Sequence, residues 1–412
     1  MDFKRKFYSI LKSIEKYADA DILYFIKGGF WLTLGKAIVF LISLATMWFF
    51  ANFASKEIYG GYKYFLSATT ILSIFSLPGI STALVRAVAK GKEKMLIRCT
   101  KESLIFGFLV FLSCLAVSFW YFFHKNNVLG FSFLIAGFLL PLMSAFSISL
   151  SFWEGKNRFD KSSQYLIWLN LASTVFVILA IFFTKNLIWI ILSYFLPRTI
   201  VSFFIFKLSR KSISNQEEDQ ETINYGRHLT IIQGLGIFSG EIDKIILWQF
   251  LGPIPLALYS FAQIPIIRIQ ELVPISSVAL PKLSQKSLTE VKENVFSKFT
   301  KLFLFSIPFS LFYILASPFL FKILFPTYLD SVIYSQVLAI VLVLLPFSLL
   351  TTSLVAEMKK KELYTLQIIV PSVKIILFLI LIPRFGAWGA IASLIFSQFF
   401  ESIFTLYFFK KI

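Results

Sequence analysis

Runs of about 18 or more predominantly apolar residues recur along the whole chain, and a helix of that length can cross a lipid bilayer. No other feature limits the fold as strongly. A bilayer core offers the backbone no water, so a crossing segment must satisfy its own hydrogen bonds. The runs are continuous rather than alternating, which excludes a membrane β-barrel and leaves helices. Hydrophobic residues make up 57% of the 412, and mean hydropathy is +0.78. Soluble domains hold roughly 45–50% apolar residues. The expected fold class is an all-α polytopic membrane protein with about 12 transmembrane helices.

The net charge of +18 is first a question of topology. Of the 40 Lys and Arg, 29 fall in segments expected in the cytoplasm, seven within spans, and four (Lys56, Lys125, Lys185 and Arg384) in outside loops. That bias is the positive-inside rule, and it places both termini in the cytoplasm. Most of the basicity is thus accounted for without nucleic acid as a partner. The two cysteines, Cys99 and Cys114, can build neither a disulfide framework nor a metal motif. His124 and His228 are too few for a metal centre.

Residues 1–27 lack the apolar core and small-residue cleavage site of a removable signal. Phe3, Phe7, Ile10, Leu11, Ile14 and Tyr17 recur at helical spacing among basic residues, as in an amphipathic helix lying on a membrane surface. Six spans follow in 28–212, including one near Tyr59–Val85, and six in 228–412, including one near Ile333–Val355. The acidic segment 213–227, with Glu217, Glu218, Asp219 and Glu221, is the expected cytoplasmic linker. A weak repeat relates the halves. Ile58-Tyr59-Gly60 matches Leu258-Tyr259-Ser260, and Ala83-Leu84-Val85-Arg86 matches Ala279-Leu280-Pro281-Lys282. Both matches fall at the ends of the second span of a half, so two six-helix bundles of one orientation are expected, with a site between them.

Charges inside spans mark that site, since a charge at the bilayer centre costs about 3 kcal/mol or more. Arg198, Lys244, Arg268 and Lys374 fall mid-span, while Lys36 and Lys63 lie about a third of the way in. The first half holds no acid inside a span, so Lys36, Lys63 and Arg198 should line a water-filled cavity that attracts anions. In the second half Glu241 and Lys244, and Arg268 and Glu271, stand three residues apart and can pair. These pairs either fix helix packing or serve transport. Asp243 lies on the other side of Lys244, so one acid remains poorly compensated, and Asp243, Glu241 and Glu271 are candidates for binding a coupling H+ or Na+. No other cofactor and no catalytic constellation is expected, and the outside loops are too short for an active site.

Leu34-Gly35-Lys36, Ala54-Ser55-Lys56-Glu57-Ile58-Tyr59-Gly60 and Ala83-Leu84-Val85-Arg86 stand in the first two spans. Ile242-Asp243-Lys244-Ile245-Ile246-Leu247, Leu251-Gly252-Pro253 and Ala257-Leu258-Tyr259-Ser260 stand in the seventh and eighth. Together they resemble the polysaccharide and O-antigen repeat-unit flippases of the multidrug/oligosaccharidyl-lipid/polysaccharide (MOP) exporter superfamily. The resemblance implies a MATE-like pair of bundles around a V-shaped central cavity in a bacterial cytoplasmic membrane. It implies an undecaprenyl-pyrophosphate-linked oligosaccharide as partner, turned from inner to outer leaflet by alternating access, and contact with other polysaccharide-assembly proteins. Lys36, Lys63, Arg198, Lys244, Arg268 and Lys374 would then bind the acidic head. The alternatives are a drug or cation antiporter of the same superfamily and, from another class, a membrane-embedded glycan polymerase or ligase.

Overall fold

The computed structural model describes residues 22–272, 279, 283 and 288–411. The surface helix expected over residues 1–27 lies outside them up to residue 21, as does the Leu280-Pro281-Lys282 part of the repeat. Every regular element among the described residues is helical. The first half comprises α1 (Ile22–Phe53), α2 (Lys56–Leu72), a 3₁₀ turn (Ser73–Ser76), α3 (Gly79–Ala89), α4 (Met95–Phe123), α5 (Asn127–Ser147), α6 (Ser149–Gly155), α7 (Phe159–Phe183) and α8 (Leu187–Lys211). The second comprises α9 (Gln220–Leu251), α10 (Pro253–Leu272), α11 (Leu288–Leu324), a 3₁₀ turn (Pro326–Ser331), α12 (Val332–Leu338), α13 (Ile340–Val343), α14 (Phe347–Ala356) and α15 (Lys360–Lys410).

Among the described residues eight helical runs, including the joined runs Asn127–Gly155 and Pro326–Val343, are long and apolar enough to cross a membrane, and the bent pair α2–α3 makes a ninth. Two further crossings, α9 and α10, are diluted by Glu241, Asp243, Lys244, Arg268 and Glu271. The last comes from α15. Its 51 residues would measure roughly 77 Å at 1.5 Å per residue, far beyond a core of about 30 Å. Gly386, at φ +58° and ψ −133°, breaks it. A Cβ on Gly389 would lie 2.1 Å from the Leu381 carbonyl oxygen, eight residues back, so the chain reverses there into two arms.

Two expected single spans are broken. The second bends by 50° between α2 and α3. Pro78 removes a backbone donor and disfavours the helical region for Leu77, which takes φ +60°. The freed groups are met from neighbouring helices. Ser103 donates to the Ser76 carbonyl at 2.9 Å, and the Gly79 amide donates to Thr230 at 3.0 Å. The tenth is divided into α12, α13 and α14, with Pro346 at the last break. Ser310 donates to the Ala339 carbonyl (2.8 Å) and Ser306 to that of Val343 (3.0 Å). Breaks of this kind survive in a bilayer only where such partners exist.

The halves meet along a seam of α2 and α3 against α9 and α10. At the Gly252 end, Tyr59 packs on Phe261 (centroids 4.4 Å apart) and Lys56 reaches Asp330 at 2.9 Å. At the linker end Gly79 abuts the backbone of Gly226 and Thr230. There the acidic segment is not a free tether. Asp219 caps α9, accepting from the Glu221 amide, and pairs with Lys92 at 3.0 Å. Glu218 pairs with Lys94 (2.9 Å) and Arg98 (3.4 Å), and Arg227 with Glu102 (2.9 Å). Burial raises the pKa of Glu93, but the Ser214 amide (2.7 Å) and Lys156 (2.9 Å) outweigh it and hold the value below normal. Lys94 lowers Glu218, and Lys92 lowers Asp219.

Two predictions follow from this seam. A Cβ on Gly60 would stand 2.1 Å from the Pro253 carbonyl oxygen. Gly60→Ala should therefore destabilise the purified protein by about 1–3 kcal/mol, read as a lower melting temperature; an unchanged melt would contradict the contact. Because the linker carboxylates have lowered pKa values, their pairs stabilise the fold above the normal carboxylate range and lose that contribution as pH falls through the lowered values. A Glu218→Gln/Asp219→Asn double variant should lose less stability than wild type on acidification below pH of about 4. Superimposable acid profiles would exclude the clasp as a contributor.

Candidate functional site

The ionisable groups inside the bundle are distributed on either side of the seam. In the first half, α1, α2, α7 and α8 surround a cavity of 180 Å³. Lys63 and Arg198 line it with Tyr62, Tyr194 and Asn170, and no carboxylate lines it. Arg198 lies one turn after Tyr194 on α8, which places the guanidinium 5.4 Å from that ring. It donates to Asn170 Oδ1 and to the Tyr194 hydroxyl, both at 3.4 Å. Pro197 inside α8 leaves the Arg198 side at a point where the helix is locally disturbed. Arg198 is therefore ordered by neutral groups, and Lys63 shares its cavity with no acid among the described lining residues.

In the second half a cavity of 710 Å³ opens among α9, α10, the broken tenth span and α15. Lys244 and Lys374 line it, as do Asp243 and Glu401. Lys244 Nζ stands 3.1 Å from Glu241 and 3.4 Å from Asp243, and donates to the Gly240 carbonyl at 2.9 Å. Asp243 is buried, and the Tyr259 hydroxyl donates to its other oxygen at 2.5 Å. Glu241 and Asp243 thus share a single ammonium. Lys244 curls back along the helix far enough to serve two acids, and Tyr259 arrives from α10. Glu401 accepts from Gln398 at 3.1 Å and shares the cavity with Lys374.

Lys36 and Arg268 line neither cavity. Arg268 pairs with Glu271 at 2.6 Å, as its spacing requires, and its guanidinium lies 5.9 Å from Phe40 of α1. Lys36 is exposed and stands one helical turn before Phe40, on the same face as Ser43, Met47 and Phe50, which line the smaller cavity. Lys63 stands over the Tyr59 ring at 5.7 Å, and Tyr59 packs on Phe261 of α10, so Lys63 lies beside the seam. Four of the six cations thus line two separate cavities rather than one chamber, and Lys36 and Arg268 line neither.

Sequence reasoning missed the neutral polar groups. Tyr62, Tyr194 and Asn170 complete the smaller cavity, and Gln233, Gln263, Gln270, Gln367 and Gln398 line the larger. Tyr194 could have been found from its four-residue spacing to Arg198. The glutamines carry no charge to make their depth conspicuous. Two glycines were also passed over. Most helical glycines here pack against a neighbour, but a Cβ on Gly236 or Gly240 would meet nothing within 4 Å. Glycine inside a helix costs about 1 kcal/mol relative to alanine, and at these two positions no close packing repays it.

Helices long enough to cross a membrane, packed around partly buried ionisable groups, give this chain the fold of the MOP transporters. The solved structures that share it include the lipid II flippase MurJ in an inward closed conformation, with a TM-score of 0.69 and 15% identity over 92% of this chain and 87% of that one. An outward-facing multidrug resistance MATE family transporter gives 0.66 and 14% over 94% of each chain. A MOP superfamily transporter from Pyrococcus furiosus, with a binding pocket of reversed polarity, gives 0.67 and 12% over 94% of this chain and 95% of that one. No curated protein matches in sequence. The family model described as "Polysaccharide biosynthesis protein" matches residues 25–287, well over half of the chain, and the chain belongs to that family.

Proposed function

We propose that this protein is a flippase. It carries an undecaprenyl-pyrophosphate-linked oligosaccharide, an O-antigen or capsular repeat unit, from the inner to the outer leaflet of a bacterial cytoplasmic membrane. Both termini lie in the cytoplasm, transport proceeds by alternating access, and other polysaccharide-assembly proteins make and consume the cargo. The observation that carries this reading is the smaller cavity, where Lys63 and Arg198 stand with hydroxyl and amide neighbours and no lining acid. Such a pocket has a positive potential that concentrates anions and repels cations. A phosphate head suits it, while the polyprenyl tail remains in lipid. Membership of the polysaccharide biosynthesis family supports the glycan, and the MurJ-like fold supports a lipid-linked cargo. A cation antiporter would need carboxylates without nearby cations, yet Glu241 and Asp243 share Lys244.

Lys36, Lys244, Arg268 and Lys374 extend the cationic path beyond the cavity, spreading the charge in depth so that no single position traps the head. In a flippase-deleted strain complemented with each variant, Arg198→Gln and Lys63→Gln should abolish surface glycan while folded protein remains. Arg198→Lys should keep part of the activity, since it retains charge but loses the two-pronged donor. Full surface glycan from the double Gln variant would overturn the proposal.

The driving ion, H+ or Na+, is assigned to Asp243, Glu241 and Glu271. Asp243 is the most enclosed of the three, and Tyr259 and Lys244 hold it in place. Asp243→Asn and Glu271→Gln should each stop accumulation against a gradient in proteoliposomes and leave substrate binding unchanged. If both singly substituted proteins transport as wild type does, these acids serve only helix packing.

A further inference from the structure

The larger cavity has features that neither phosphate binding nor helix packing explains. Its ionisable lining is balanced, with Asp243 and Glu401 against Lys244 and Lys374, so it does not select an anion as the smaller cavity does. Gly236 and Gly240 lie one turn apart on α9 and both line it, leaving a trough in the helix surface that no side chain fills. Helix stability is given up there and no tighter packing results, in contrast to Gly60 and Gly79, which meet backbone. On α9 the lining runs from Ile232 to Lys244, roughly 18 Å at 1.5 Å per residue.

Gln263 and Gln270 stand seven residues apart on one face of α10, and Gln367 faces the same space from the first arm of α15. Gln270 and Gln367 make no hydrogen bond to another described residue. An amide side chain offers two donors and an acceptor with no net charge. A sugar hydroxyl is likewise both donor and acceptor, and apolar walls such as Leu366 and Val370 suit the C–H faces of a pyranose ring.

We propose that this cavity binds the sugar residues of the cargo, with Gly236 and Gly240 as its floor and Gln270 and Gln367 as hydroxyl-reading groups. The proposal rests on the flippase reading and divides the cargo: the pyrophosphate on the first half, the glycan on the second. Discrimination between glycans then resides in the second half.

The test uses the purified full chain and two probes in native mass spectrometry. One is undecaprenyl pyrophosphate. The other is the lipid-linked oligosaccharide fraction extracted from a host that lacks this transporter. Gln270→Leu and Gln367→Leu should each weaken binding of the oligosaccharide lipid by about tenfold, the loss of a hydrogen-bonded contact, with undecaprenyl pyrophosphate bound as by wild type. Gly240→Leu should block the trough with the same selectivity. Gly240→Ala should melt no lower than wild type, because its Cβ meets open space and alanine favours the helix, and it guards against misfolding of the larger variant. Oligosaccharide lipid held equally by wild type and all variants would overturn the sugar site and leave the flippase reading intact. Wild-type protein that binds neither lipid would overturn both.

Discussion

Lys244 organises the second half. A buried ammonium needs partners, and this one is shared by Glu241, Asp243 and the Gly240 carbonyl within 3.4 Å. Removing one partner of a buried charge network strands the others, which typically costs several kcal/mol. The network therefore dictates where α10 must lie, since Tyr259 completes the coordination of Asp243. Glycine at 252 (φ +77°) permits the tight turn that brings α10 back beside α9. The packing of the seam, and through it the position of Lys63, depends on that arrangement.

The first half solves the same problem in the opposite way. Among the described residues no carboxylate lines the cavity of Arg198 and Lys63, and the Tyr194 and Tyr59 rings stand beside them. A cation held by neutral groups remains available to an anion, whereas one held by two acids is largely neutralised. The difference between the halves is therefore a difference in what each can attract.

The crossings, the turn at Gly252–Pro253 and the pairings at 241/244 and 268/271 were legible in the sequence. Each depends on local spacing, and in an apolar medium local rules dominate because charges cannot be left alone. The breaks at Pro78 and Pro346 were less legible. Proline marks a possible break, but whether a span bends depends on partners such as Ser103, Thr230 and Ser306 that lie far away in sequence. The same holds for Asp243, whose partner Tyr259 stands on the next helix. Exposure of Gly236 and Gly240 was illegible, because a glycine against backbone and a glycine facing open space read alike.

The two ends of the seam are held by different kinds of contact, which bears on the alternating access proposed above. At the linker end the fastening is ionic and solvent-facing, with Lys92, Lys94 and Arg98 on Asp219 and Glu218. Such pairs exchange readily with water, and beneath them Ile80 and Leu84 of α3 are buried in one apolar cluster with Ile223 of α9. At the Gly252 end the fastening is a stack of Tyr59, Phe261 and Tyr328. The hydroxyls of Tyr59, Ser260, Tyr328 and Ser331 are buried there without a hydrogen-bond partner among the described residues. Each such group costs about 1–3 kcal/mol while it stays unmatched. Opening that end would expose aromatic surface but would hydrate these hydroxyls, so gain and loss offset one another.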